Sequence, residues 1–488
     1  MKKRTLFILI VSALLIISIT SCTGKTTNIQ TNSTDKKEMA LVNKTNPTFK
    51  ISKDVPESDS FTLPGLVGEN MVLQRDRVLT LWGGCTEDGP IAVTLNGSNY
   101  YGLCTDGKWE VYISPQTAGG PYDITVQNIN GKIVIKNVLI GDVYICSGQS
   151  NMEMTMAACN AQDKIDSSTN SQIRLLRVIT KSSETPISES DYIWGECNPR
   201  GVGSFSASGY FFGKTLQEKY NIPIGLVMSA VGDTILCCWA PDPEASAMSK
   251  AYQTNDGNAR RKPAYFYNGM INPLKSYKYK GVLWYQGENQ PEEYDNLLVN
   301  MIKGWRRDFN DENLGFTIIQ LPRWGGGNAE AWFVSREKQK SVSKLLSNVT
   351  YSVNIDTGDS VNIHPMDKEK VGIRAAYATM EALYGEKGVL RGPIFKAFKI
   401  ENNKVLVEFD MIGSGLVLNN EGKGFEIYDS SGDYYEAKAK IVGDKVELTS
   451  DMVTSPTGVR YAYGPFPDVS LYNKEGFPAE QFRTKIND

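Results

Sequence analysis

The chain has 488 residues, of which 41% are hydrophobic and 22% charged, with a formal net charge of −3. That length exceeds one ordinary hydrophobic core and predicts two or three domains of globular composition. Nucleic-acid binders are usually strongly basic, so this slightly acidic chain is not expected to have a nucleic-acid partner.

The N-terminus reads as a targeting segment. Lys2, Lys3 and Arg4 precede an apolar run from Leu6 to Ile19, shorter than the roughly 20 residues a spanning helix needs. Ile19, Thr20, Ser21 and Cys22 match the bacterial lipobox, in which the cysteine is acylated after cleavage. Residues 1–22 are therefore expected to be a lipoprotein signal peptide and residues 23–58, rich in Thr, Asn, Lys and Ser, a flexible tether. The mature protein is then extracytoplasmic and held to a membrane by its lipid, without indication of inner, outer or sole membrane. A plain secretory signal is the alternative and also takes the protein out of the cytoplasm. Acylation of Cys22 leaves an odd number of the eight cysteines. Cys85 and Cys104 form a possible bridge, and the adjacent Cys237 and Cys238 read as buried. A single histidine and no zinc-like spacing argue against a metal centre.

Residues 59–140 alternate apolar and polar positions in short runs such as LTLWGG, IAVTLNG and KWEVYI, with Asn96-Gly97, Asp106-Gly107 and Asn130-Gly131 as turns. This predicts a small antiparallel β-sandwich-like domain. From Gly141 the pattern changes to strands alternating with helices. Strands are predicted at Val143–Cys146, Ile224–Met228, Tyr279–Tyr285, Thr317–Leu321 and Thr350–Ile355. Helices are predicted at Ser206–Tyr220, Glu292–Phe309, Ala331–Ser347 and Asp367–Tyr384. Such alternation predicts an α/β parallel sheet over residues 141–391, with a β-rich region over 392–488.

In a parallel sheet, functional groups gather at the carboxyl ends of the strands. Ser150 follows the first of these strands, Gly232 the second, Gln286 to Asn289 the third, and Asp356 to His364 the last. A serine needs a base to act as a nucleophile near neutral pH, and His364 is the only imidazole in the chain. Taken singly, each piece has a plainer reading, a Gly-Gln-Ser-Asn turn and a structural histidine. Their placement on loops at one sheet edge favours catalysis.

The block GDVYICSGQSNMEM from Gly141, the run GVLWYQGENQ from Gly281 and DTGDSVNIHPMDKEKVGIRAA from Asp356 resemble the signature blocks of the sialate O-acetylesterases, members of the wider SGNH-type hydrolases. MVLQRD from Met71, IPIGLVMSAVGDT from Ile222, YNGMINPL from Tyr267 and the closing VRYAYGPFP and PAEQFRT segments extend the similarity over nearly the whole mature chain. The resemblance implies a cofactor-free Ser-His esterase that removes O-acetyl groups from glycans, with Ser150 as nucleophile and His364 as general base. The oxyanion would be held by the backbone of Ser150 and Gly232 and by an amide, Gln286 or Asn289, with Gln286 preferred.

The chain departs from the family pattern in three places. Asp233 stands where many relatives have a second glycine, Asn289 and Gln290 follow Glu288 directly, and Val361 occupies the place of the acid three residues before the histidine. The acid that orients His364 is therefore sought at Glu288 first, then Asp359, with Asp356 also weighed; a backbone carbonyl would serve in its place. Trp239, Trp284 and Tyr285 read as core rather than sugar-stacking residues, while Arg336 and Arg374 are open to meeting a substrate carboxylate or tying structure together. Acetylated sialic acid is the first expectation and acetylated xylan or another polysaccharide the alternative. A non-catalytic glycan-binding lipoprotein is the competing class. A lipase or peptidase lacks its signature, because Gly148-Gln149-Ser150-Asn151-Met152 is not a Gly-x-Ser-x-Gly elbow.

Overall fold

Lys132–Gly148 (β1) is a 17-residue strand that joins two halves of one sheet. The computed structural model describes residues 33–42, 50–52, 54–190, 192–252, 258–288 and 291–484. The first half of β1 pairs antiparallel with Gly119–Gln127, continuing the antiparallel strands that begin at Phe61. The Asn96-Gly97 and Asp106-Gly107 turns carry positive φ at both residues, the geometry that two-residue hairpins require. Cys85 and Cys104 form a disulfide across this region, and the other described cysteines are free and buried.

The second half of β1 lies at the centre of the α/β part. Around it are Asn170–Arg177 (β2), Trp194–Cys197 (β3), Ile224–Ala230 (β4), Gly281–Tyr285 (β5), Gly315–Ile319 (β6) and Val349–Ser352 (β7). Their order is β3-β2-β4-β1-β5-β6-β7. Only β3 runs antiparallel to its neighbour, so the whole is a mixed sheet in an α/β architecture with additional β-rich regions. β2 and β3 were not foreseen from the sequence.

Burial follows from the connections. The helices Ala207–Tyr220 (α1) and Lys368–Tyr384 (α2) pack together over one face, and Tyr294–Asp308 (α3) and Ala329–Leu345 (α4) pack together as the other helix pair. Val143 and Ile145 enter one apolar cluster while Tyr144 and Cys146 enter the other, the alternation of a strand covered on both faces. On α3, Tyr294, Leu298, Ile302 and Trp305 recur at helical spacing and are fully buried, which fixes the face it presents.

The closing region holds two four-stranded sheets and a two-stranded ribbon. Within the stretch expected to be a tether, Ser33–Val42 is helical and Glu38 pairs with Lys278 at 2.7 Å. The signal segment, Cys22 and Asn289 lie outside the described residues. No helix among the described residues is long and apolar enough to cross a membrane.

Candidate active site

The chain turns sharply where β1 ends. Gly148 has φ +137°, and a Cβ there would stand 2.1 Å from the carbonyl oxygen of Tyr285, so only glycine lets β1 and β5 close at this point. Gln149 N–H donates to the same Tyr285 oxygen, and Ser150 opens a four-residue helical turn, Ser150–Glu153. His364 arrives from the loop after β7. Its Nε2 lies 2.8 Å from Ser150 Oγ, and both residues are partly exposed. The two residues singled out from the sequence are thus in hydrogen-bond contact although 214 positions apart.

The loop that carries His364 is pinned at several points. Asp359 Oδ1 accepts from the backbone N–H groups of Val361 and Asn362, and Asn362 Oδ1 accepts from His364 N–H at 2.9 Å. Those two backbone donors hold the exposed Asp359 carboxyl below its ordinary range. Arg374 on α2 grips Asp356 through two hydrogen bonds, and Tyr472 Oη donates to the same carboxylate. Burial works to raise the Asp356 carboxyl, but the Arg374 hydrogen bond and charge overcome it and leave it lowered. Trp324 Nε1 donates to Val361 O at 3.3 Å, tying the loop to the segment after β6.

Neither Glu288 nor Asp359 reaches the imidazole, and among the described residues no carboxylate makes an ion pair with it. Glu288 instead accepts from Asn151 Nδ2 at 2.7 Å and from Gly287 N–H at 2.9 Å. Asn151 Nδ2 also donates to Ile363 O, immediately before His364, and Asn151 Oδ1 accepts from Lys368 Nζ at 2.6 Å. One buried amide therefore links the nucleophile turn, the histidine loop, a carboxylate and an ammonium group. Burial raises the Glu288 carboxyl, against the Asn151 hydrogen bond, and lowers the Lys368 ammonium to about 8. His364 is itself held below the ordinary histidine value, by burial first and then by the charge of Lys368.

The residues expected on the oxyanion side lie as follows. Ser150 is the first helical residue of its turn, where a backbone N–H has no intrahelical acceptor. A Cβ added at Gly232 would stand 3.3 Å from Ser150 Cβ, so the glycine adjoins the nucleophile. Its N–H, however, donates to Glu153 Oε2 at 2.7 Å. The Gln286 amide is fully buried and turned into the core, its Nε2 toward Thr234 O at 3.4 Å and its Oε1 accepting from Tyr294 Oη. Trp239, Trp284 and Tyr285 have no exposed surface and are core. Arg336 is buried against Gln481 and Gly464. With Arg374 on Asp356, neither arginine faces a substrate. Arg260, whose side chain is 52% exposed, stands 3.9 Å from Asp233, the neighbour of Gly232. Asn151, Glu153, Arg260 and Lys368 escaped the sequence reading; the first two lie inside the SNME quartet that includes the nucleophile.

Residues 140–381 match the family model described as a carbohydrate esterase, sialic acid-specific acetylesterase. A carbohydrate acetylesterase from Xanthomonas citri of known crystal structure is 33% identical, with a TM-score of 0.79 over 87% of this chain and 99% of that one. The chain belongs to this carbohydrate esterase family. The sialate O-acetylesterases of Homo sapiens and Mus musculus are each 26% identical, over 75% of this chain and 80% and 82% of their own lengths. Membership makes this esterase a hydrolase of carboxylic esters and a carbohydrate O-acetylesterase.

Proposed function

We propose that this esterase removes O-acetyl groups from glycans through a Ser150-His364 acyl-enzyme mechanism. The observation that carries it is the 2.8 Å contact between Ser150 Oγ and His364 Nε2. His364 Nε2 takes the proton as Ser150 Oγ attacks the acetyl carbonyl, and returns it to the departing sugar hydroxyl. Water, deprotonated by the same nitrogen, attacks the acetyl-Ser150 ester; the Oγ–acyl bond breaks, His364 returns the proton to Ser150 Oγ, and acetate leaves. Ser150 N–H is the primary oxyanion donor; Gly232 N–H joins it when the Glu153 carboxylate gives way to the developing charge, and Asn289 is the remaining amide for this role. The orienting influence on His364 comes from the pinned loop and from Glu288 through Asn151, with Asp359 acting on the loop rather than on the ring.

Acetylated sialic acid is the preferred substrate. Arg260, half-exposed beside Asp233, is a cation placed for a sugar carboxylate, a group that neutral acetylated xylan lacks. We further propose an SGNH-type parallel-sheet catalytic unit at 141–391 between β-rich regions at 59–140 and 392–488, and an extracytoplasmic protein tethered by acylated Cys22. The parallel register of β4, β1, β5, β6 and β7 supports the former and the lipobox the latter.

Acetate release by the full chain in detergent tests the reading on O-acetylated sialic acid and acetylated xylan in parallel. Ser150→Ala is expected to lower kcat by about 10⁴-fold or more while leaving the fold intact. Arg260→Gln is expected to raise KM on the sialic acid and not on xylan. Activity retained in Ser150→Ala would reject the mechanism, and glycan binding without hydrolysis would favour the non-catalytic lipoprotein.

A further inference from the structure

Lys368 is the first residue of α2, 1% exposed. A buried ammonium group is costly to desolvate, and a cation at a helix N-terminus faces the positive end of the helix dipole. The helix itself gains nothing from a cation at this end. The side chain is nonetheless held tightly, by the 2.6 Å hydrogen bond to Asn151 Oδ1 and with Nζ 5.4 Å from the centroid of the Tyr285 ring. The titratable groups facing it are Glu288 from the loop after β5, Cys159 from the short helix after the nucleophile turn, and its own neighbour Asp367. Glu369, the next residue, pairs with Lys164 instead.

Two consequences follow at the reaction centre. Through Asn151, whose Nδ2 bonds Glu288 and Ile363 O, Lys368 braces the residues flanking both Ser150 and His364. Its positive charge also acts on the imidazole, where it disfavours a second positive charge. We propose that Lys368 is a positioning residue of this esterase, locking Asn151 between the nucleophile turn and the histidine loop and keeping His364 neutral as the resting general base. The inference rests on the Ser150-His364 mechanism and assigns a group that helps hold His364 in place and lowers the acid limit that its titration sets.

The chain has one histidine, so an untagged full chain in detergent shows one imidazole Cε1–H signal by NMR. That signal is titrated in the wild type, Lys368→Met and Lys368→Arg, alongside the pH profile of kcat/KM on 4-nitrophenyl acetate. The expected result is an upward move of the imidazole midpoint and of the acid limb in Lys368→Met, and values near wild type in Lys368→Arg, which keeps the charge. Each pH unit of upward move costs about tenfold in kcat/KM on the acid side. A purely structural role would lower kcat/KM at every pH with the midpoint unmoved, and that result overturns the proposal. Should Lys368→Met not fold, the wild type decides: an imidazole titrating at or above 6.5 overturns it. Failure of the mechanism itself is read separately, as hydrolysis that survives Ser150→Ala.

Discussion

Replacing Asn151 by alanine removes three hydrogen bonds at once: to Glu288 at 2.7 Å, to Ile363 O at 3.1 Å and from Lys368 at 2.6 Å. Bonds to charged partners contribute about 1.5–3 kcal/mol each and the neutral one about 1 kcal/mol. Glu288 and Lys368 remain on either side of the vacated amide and recover part of this by attracting each other. The net loss is therefore expected at about 3 kcal/mol, a melting temperature lower by about 6–12 °C. Activity should fall further than stability alone accounts for. Freed from Asn151, Ile363 no longer fixes the backbone before His364, and a displacement of about 1 Å between base and nucleophile costs about 10²-fold in rate. Thermal unfolding and kcat/KM on 4-nitrophenyl acetate measure the two effects. A variant within twofold of wild-type kcat/KM and with an unchanged melting temperature would refute the role given to this amide. Asn151→Asp sharpens the test. It keeps an acceptor for Lys368 but sets a carboxylate against Glu288, so part of its lost stability should return at low pH, where Glu288, already raised by burial, takes up a proton.

The acid limb of wild-type kcat/KM should lie below pH 6.5, because His364 is depressed by burial and by Lys368 and must be neutral to accept the proton. The same shift bears on stability. The unfolded chain protonates this imidazole more readily, so the contribution is complete above the unfolded value of 6.5 and is lost as pH falls through the lower folded value; chemical denaturation of wild type and His364→Gln across that range checks the sign. Gly148→Ala should abolish soluble folded protein or activity, since a methyl group 2.1 Å from Tyr285 O at φ +137° forces β1 and β5 apart; circular dichroism and kcat report which. Replacing Cys85 and Cys104 by alanine together opens a loop of sequence separation 19 and should cost about 3 kcal/mol in denaturant unfolding, with kcat unchanged because the bridge lies in the N-terminal sheet.

Much of the α/β part was legible because its strands are buried on both faces and its helices carry one apolar stripe. Thr317–Leu321 was expected and Gly315–Ile319 found; Asp367–Tyr384 was expected and Lys368–Tyr384 found. β2 and β3 were not legible. Asn170–Arg177 contains Gln172 and Arg174, and the buried Arg174 is paid for by Glu196 and Asn137, partners far from it in sequence. The Ser150-His364 pair was legible for a different reason: with one imidazole in the chain there was no competing base. The network behind it was not, because a lysine at a helix start and an asparagine in a turn are ordinary in sequence. Only the fold brings Lys368 and Asn151, 217 positions apart, within 2.6 Å.

The missing acid before His364 bears on how the site works. Val361 at that place is 87% exposed, and Asn362, two residues upstream, bonds the His364 backbone N–H rather than the ring. Asp359 is spent on Val361 and Asn362 N–H groups and Asp356 on Arg374. What is bonded instead is the backbone on either side of the ring, through Asn362 at His364 N–H and Asn151 at Ile363 O, with Glu288 one amide away. A directly bonded carboxylate stabilises the imidazolium, whereas here burial and the positive charge of Lys368 both disfavour it. Under the proposed Ser150-His364 mechanism, such a site would give up stabilisation of the imidazolium for a base held below its ordinary value. Restoring the acid by Val361→Asp should accordingly raise the His364 midpoint and increase kcat at alkaline pH while narrowing the active range on the acid side. A pH profile of this variant with an unmoved acid limb would show that the residue at 361 points away from the ring.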